Sequence, residues 1–179
     1  MRLTTQQMDK LAGHVWPPQG TATFVLLDGA GIPTLLDKLY ATAGLEFECL
    51  YSGELGPGVA EVAPYIARLE AGTEFADWVL AGWGEQRGIF AHVPEDVDMP
   101  VLRRHFRKLS MVYGPDGSPL LFRYYDPRVM NDILPTCDAA QLKDIFGPVN
   151  RYVVERKGVG EGVTFSAPGG ELMQEMFAA

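Results

Sequence analysis

Four charged residues stand where chemistry could be assembled: Asp28, Arg123, Asp126 and Arg128. Asp28 closes the apolar run Phe24–Leu27, and Asp126 closes Phe122–Tyr125. If the two strands are neighbours, carboxylates and guanidiniums meet at one edge of a sheet. Such groups can lock a turn as an ion-pair lattice, form a partner-binding edge, or line the site of a small-molecule-binding α/β enzyme. Catalysis would also need a nucleophile or a proton shuttle beside them, and the sequence offers no evident one.

The remaining candidates are weaker. Gly29 and Gly31 follow a strand as G-x-G, but Thr34 stands where a dinucleotide fingerprint needs its third glycine, and no Gly-Lys-Ser/Thr follows. A tight turn requiring positive φ is the expectation there. The histidines, His14, His92 and His105, lack ligand partners at helical spacing, apart from His92 with Glu95 and Asp96 across Pro94. No serine sits in a G-x-S-x-G elbow. The sequence therefore predicts no cofactor, no metal and no catalytic residue. Arg103, Arg104, Arg107 and Lys108, with His105 among them, make a basic run on one helix. It is either a solvated face or a docking surface for an acidic partner, with Arg104 and Lys108 as its candidate contacts. A nucleic-acid module is the third reading.

These residues need elements to hold them. Leu120, Phe122 and Tyr124 alternate with Leu121, Arg123 and Tyr125, which predicts a strand. Asp126 is a good N-cap, and Pro127 suits the first helical position because its missing N–H costs nothing there. A strand handing over directly to a helix is the expectation, with Tyr125, Asp126 and Pro127 structural. Met111–Tyr113 should pair with that strand across Gly114-Pro115-Asp116-Gly117.

Further strands are expected at Thr21–Leu27, Phe47–Tyr51, Gly88–Val93, Arg151–Arg156 and Val163–Ser166, with Val62–Leu69 as an edge strand because of Pro64. Helices are expected from Pro33, from Thr73 to Trp83, from Asp98 to about Leu109, from Pro127, from an Asp138/Gln141 capping box, and over Glu171–Phe177. The pattern predicts one α/β domain: a mixed β-sheet with helices packed on it and a hairpin before the Tyr125–Val129 motif. Residues 1–20 read as a lead-in, 21–150 as the domain, and 151–179 as an extension packed on it or flexible beside it.

The chain has 179 residues and a net charge of −8. That acidity argues against a general binder of nucleic acid or anionic membrane. The two cysteines, Cys49 and Cys137, belong to no C-x-x-C pair. Buried free thiols in a reducing compartment are expected. No apolar run reaches the roughly 18 residues of a membrane span, and the N-terminus lacks a signal peptide's apolar core. The expectation is a cytoplasmic protein.

Several short blocks then arrive in a telling order. Phe24-Val25-Leu26-Leu27-Asp28-Gly29-Ala30 comes first, then Tyr51-Ser52-Gly53-Glu54 and Val62-Ala63-Pro64-Tyr65-Ile66. Gly88-Ile89-Phe90 and the helix with paired arginines follow. Phe122-Arg123-Tyr124-Tyr125-Asp126-Pro127-Arg128-Val129 is last and most specific. Over about Thr21 to Gly147 the chain resembles the effector chaperone and adaptor family of bacterial type VI secretion. The resemblance implies a non-enzymatic role: binding an effector protein and helping to load it onto the VgrG spike. The residue pattern leaves Arg104, Lys108, Arg123 and Arg128 as partner-binding candidates, and Asp28, Gly29, Tyr125, Asp126 and Pro127 as structural candidates of the motif. Gly31 departs from the larger residue expected there. The tail after Arg151 lies outside the shared region.

Overall fold

Strand β1 (Thr21–Asp28) is the centre of the molecule, and its composition explains why. From Ala22 to Asp28 every residue is buried. Phe24 and Leu26 face one core; Val25 and Leu27 face the other. A strand covered on both sides needs no polar alternation, so the apolar run is continuous.

The computed structural model describes residues 3–17, 19–114, 116–158 and 160–179. The other strands of the main sheet are β2 (Phe47–Cys49), β3 (Pro64–Leu69), β4 (Gly88–Pro94), β7 (Arg151–Glu155), β8 (Glu161–Ser166) and β9 (Met173–Ala178). Their order is β2-β3-β1-β4-β7-β8-β9, and each ladder is antiparallel. Strands β5 (Met111–Tyr113) and β6 (Pro119–Leu121) form a separate two-stranded ribbon.

Helices α1 (Thr5–Val15), α2 (Leu35–Ala41) and α4 (Glu74–Ala81) bury Leu11, Val15, Leu35, Leu39, Phe75 and Val79 against one face. Helices α5 (Met99–Leu109), α6 (Pro127–Ile133) and α7 (Ala139–Phe146) bury Leu102, Phe106, Met130, Leu142 and Ile145 against the other. The short α3 (Val59–Val62) precedes β3. The result is the expected single α/β domain with helices packed on a sheet. Predicted caps form: Thr73 accepts from Ala76, Asp98 from Val101, and Asp138 with Gln141 closes a capping box.

Four local expectations are corrected. Strand β3 is internal, between β2 and β1, because Pro64 occupies its first position and costs the ladder little. Helix α2 starts at Leu35 rather than Pro33, because Pro33 and Thr34 form a turn in which Thr34 stands outside helical geometry. The strand before the motif ends at Leu121, because Tyr124 and Tyr125 turn into the core and are buried. Glu171–Phe177 supplies the edge strand β9, not a helix, because the open side of β8 pairs with it. Residues from Arg151 onward thus contribute β7, β8 and β9 to the sheet, with Tyr152, Val154, Val163 and Phe165 in its core.

Candidate functional site

Asp28 ends β1 with its side chain buried. One carboxylate oxygen accepts from Ala30 N–H at 3.2 Å, capping the Gly29–Gly31 turn. The other accepts from Arg123 Nη2. Arg123 comes from the loop after β6, so the two arms meet through a side chain and not as adjacent strands. Gly29 has ordinary negative φ, against expectation. Its need is space: a Cβ there would overlap the Ala63 carbonyl oxygen, which accepts Gly29 N–H at 3.1 Å.

Asp126 closes a turn with its N–H on Arg123 O at 3.0 Å. Its buried carboxylate accepts from Arg128 N–H at 2.9 Å, capping α6. It also accepts from the Arg128 guanidinium, Nε at 2.9 Å and Nη2 at 2.6 Å. Burial alone would raise its pKa, but the bonds from Arg128 win and hold it below the usual carboxylate range. Asp126 itself, rather than Asp28, is therefore the carboxylate that holds Arg128 at a helix N-terminus.

Tyr125 is buried between these pairs, and burial, then the neighbouring Tyr51 hydroxyl, pushes its pKa up. Pro127 is buried at the first position of α6. The set is two carboxylates, each capping the element that follows it and each paired with its own arginine, with both guanidiniums reaching the surface. Such a pair of clamps fixes geometry and leaves cationic, planar donors at the rim.

The basic run on α5 is divided by the fold. Arg103 pairs with Glu48 at 3.3 Å. Arg107 Nη2 donates to the Cys49 and Tyr51 carbonyls at 3.0 and 2.6 Å. His105 turns inward onto Ile145 O at 3.1 Å. Only Arg104 and Lys108 keep the outward face; Lys108 lies 3.8 Å from the exposed Asp144. Among the described residues, no ion pair or hydrogen bond joins this face to Arg123 or Arg128.

Three features escaped the sequence reading. The β5–β6 ribbon leaves Met111, Val112, Tyr113, Leu120 and Leu121 exposed, Tyr113 at 73%. Apolar runs that short read equally well as buried strands, so nothing in them announces exposure. Glu155, at the end of an otherwise apolar strand, is 3% exposed. It borders a hollow of about 400 Å³ beside Arg128 and Asn131. One of its oxygens accepts from Gly84 N–H; the other has no partner among the described residues. Burial pushes its pKa up to about 7. The third feature is the open edge of β9.

Among the described residues no group of three or more His, Cys, Asp or Glu gathers as metal ligands. No described helix is long and apolar enough to cross a membrane. A family model described as "Domain of unknown function (DUF4123)" matches residues 23–144, more than half of the chain. The chain belongs to the DUF4123 family. No curated protein and no solved structure matches it. The matched stretch runs from β1 to α7 and contains every site candidate from Asp28 to Arg128. Strands β7, β8 and β9 and Glu155 lie beyond it.

Proposed function

We propose that this DUF4123 protein is a non-enzymatic cytoplasmic adaptor that binds a type VI secretion effector and helps load it onto the VgrG spike. One observation carries the reading. The family match at 23–144 coincides with the span whose ordered blocks, above all Phe122–Val129, resemble the type VI effector adaptors. The geometry supports a binding role. Asp28 and Asp126 are each consumed by an arginine, as scaffold carboxylates are. The exposed apolar ribbon β5–β6 is the kind of surface that marks protein contact.

Co-expression with the effector and VgrG proteins encoded in the same gene cluster tests the reading. A stoichiometric complex that survives purification is expected, with the effector insoluble or unstable when the adaptor is absent. Capture of neither protein, or turnover of a small molecule by the purified adaptor, would overturn it.

If the outward face of α5 meets an acidic partner surface, Arg104→Glu with Lys108→Glu should slow association at low salt and flatten or invert its dependence on salt. The fold should hold, because exposed substitutions of this kind stay within about ±0.5 kcal/mol. Unchanged association at low salt would return α5 to a solvated face.

A further inference from the structure

The two edges of the main sheet are treated differently. The β2 edge is three residues long, and α5 closes on it: Arg103 pairs with Glu48, and Arg107 takes the Cys49 and Tyr51 carbonyls. The β9 edge is six residues long and has neither proline nor lysine. Edges of that kind are ordinarily guarded by such devices.

Register shows what this edge offers. Ala179 N–H donates to Gly160 O at 2.7 Å, and the ladder continues through Gly162↔Phe177, Thr164↔Glu175 and Ser166↔Met173. Antiparallel bonding alternates along a strand. Met173, Glu175 and Phe177 therefore turn their backbone groups to β8, while Gln174, Met176 and Ala178 turn theirs outward. Side chains alternate too. Phe177 stacks on His14 at 3.8 Å, so Met173 and Glu175 share the α1 face. Gln174 and Met176 lie on the other face, opposite Phe165 and Val163. Met173 is 58% exposed and Met176 71%. Glu171 and Glu175 have no ion pair among the described residues, and β9 carries no cation.

We propose that β9 is a docking edge for an extended segment of a partner protein, which adds as an eighth strand and alternates basic with apolar residues. The outward N–H and C=O groups of Gln174, Met176 and Ala178 give the backbone ladder. Basic side chains of the incoming strand fall on the α1 face beside Glu175, and apolar ones fall beside Met176. A second copy of this chain is the wrong occupant. It would set Glu171 and Glu175 of both edges together between two molecules of net charge −8 each. The inference rests on the adaptor reading only for which protein carries the segment.

The test uses the full chain and an alternating lysine–valine heptapeptide, blocked at both ends, with an alternating glutamate–valine peptide as control. Amide hydrogen exchange is followed residue by residue in NMR spectra. The lysine–valine peptide should slow exchange about tenfold at Gln174, Met176 and Ala178 and leave Met173, Glu175 and Phe177 unchanged. The glutamate–valine peptide should do nothing. Met176→Pro removes one outward N–H and should abolish the protection while the rest of the spectrum persists. Glu175→Lys should reverse the preference between the two peptides, and it remains informative if the proline variant fails to fold. Equal response to both peptides, protection elsewhere, or a dimer through β9 in sedimentation would overturn the proposal. No effector enters this experiment, so its failure and a failure to capture effector are separate results.

Discussion

Glu155 is a residue whose deprotonation the fold resists. Folding raises its pKa to about 7, well above the usual carboxylate range. Burial is the main cause; Glu85 and Asp126 add like charge, and the N–H groups of Gly84 and Gln86 oppose it. The folded state therefore holds the proton more tightly. This contribution to stability is fully present below the unfolded pKa and is lost as pH rises through about 7. The loss is on the order of 3 kcal/mol. His92 and His105 act in the opposite sense. Burial lowers both pKa values, so stability falls as pH drops below their unfolded value. Denaturant midpoints from pH 5 to pH 8 should fall on the alkaline side for the wild type and stay flatter for Glu155→Gln; parallel profiles would remove Glu155 as the cause. The motif carboxylate is simpler. Asp126→Ala loses the α6 cap and should cost about 0.5–2 kcal/mol, while its backbone N–H keeps the turn to Arg123 O. Arg128→Ala removes an exposed guanidinium and should cost less than about 1 kcal/mol. Thermal melts of both, with effector pull-downs, separate scaffold from surface. A stable Asp126→Ala protein that no longer binds effector would place Asp126 on the surface side.

At the scale of elements, the turn after β1 gives the sharpest contrast. Gly29→Ala drives a Cβ into the Ala63 carbonyl oxygen, backbone that cannot swing away, so overpacking of about 1–3 kcal/mol is expected. At Gly31 the nearest atom to an added Cβ is Asp28 Oδ2 at 3.7 Å, an ordinary contact. Gly31→Ala should be neutral to slightly stabilising, and equal melting shifts for the two variants would refute the steric account. The same turn shows where sequence reasoning reaches its limit. The run from Phe24 to Asp28 announced a buried strand, and Thr73, Asp98, Asp126 and Asp138 announced helix starts, because these are local chemistry. Gly29 looked like a φ requirement, since the approach of Ala63 is a tertiary fact. Leu172, Met173, Met176 and Phe177 fit a helical period and include no β-branched residue; the demand of β8 for a partner overrides that pattern. Asp28 and Arg123 were grouped correctly as charges, but a side chain from a loop joins them, and strand adjacency could not have revealed it.

For the molecule as a whole, the family-matched stretch ends at residue 144 although the sheet does not. Strand β7 pairs with β4 through Phe90↔Val153 and its neighbours, next to the central strand. A chain stopped at Asn150 would lose Tyr152, Val154, Val163 and Phe165 from the core. Each such side chain contributes about 1.5–3 kcal/mol, against a total stability of about 5–15 kcal/mol. That fragment should be insoluble or lack a cooperative melt, and a soluble two-state fragment would show that the matched stretch suffices alone. Helix α1 meets the sheet at places far apart in sequence. Its Val15 carbonyl accepts from Thr23 Oγ1 at 2.8 Å and from His92 Nε2 at 2.9 Å, and its His14 ring lies on Phe177. During synthesis the helix emerges before the strands it packs on, and the surface that receives it is finished only when β9 has closed on β8. Non-local closure of this kind is slow. A helix made ahead of its sheet thus settles only after it, and until β9 is in place its apolar side is available to whatever else the nascent chain encounters.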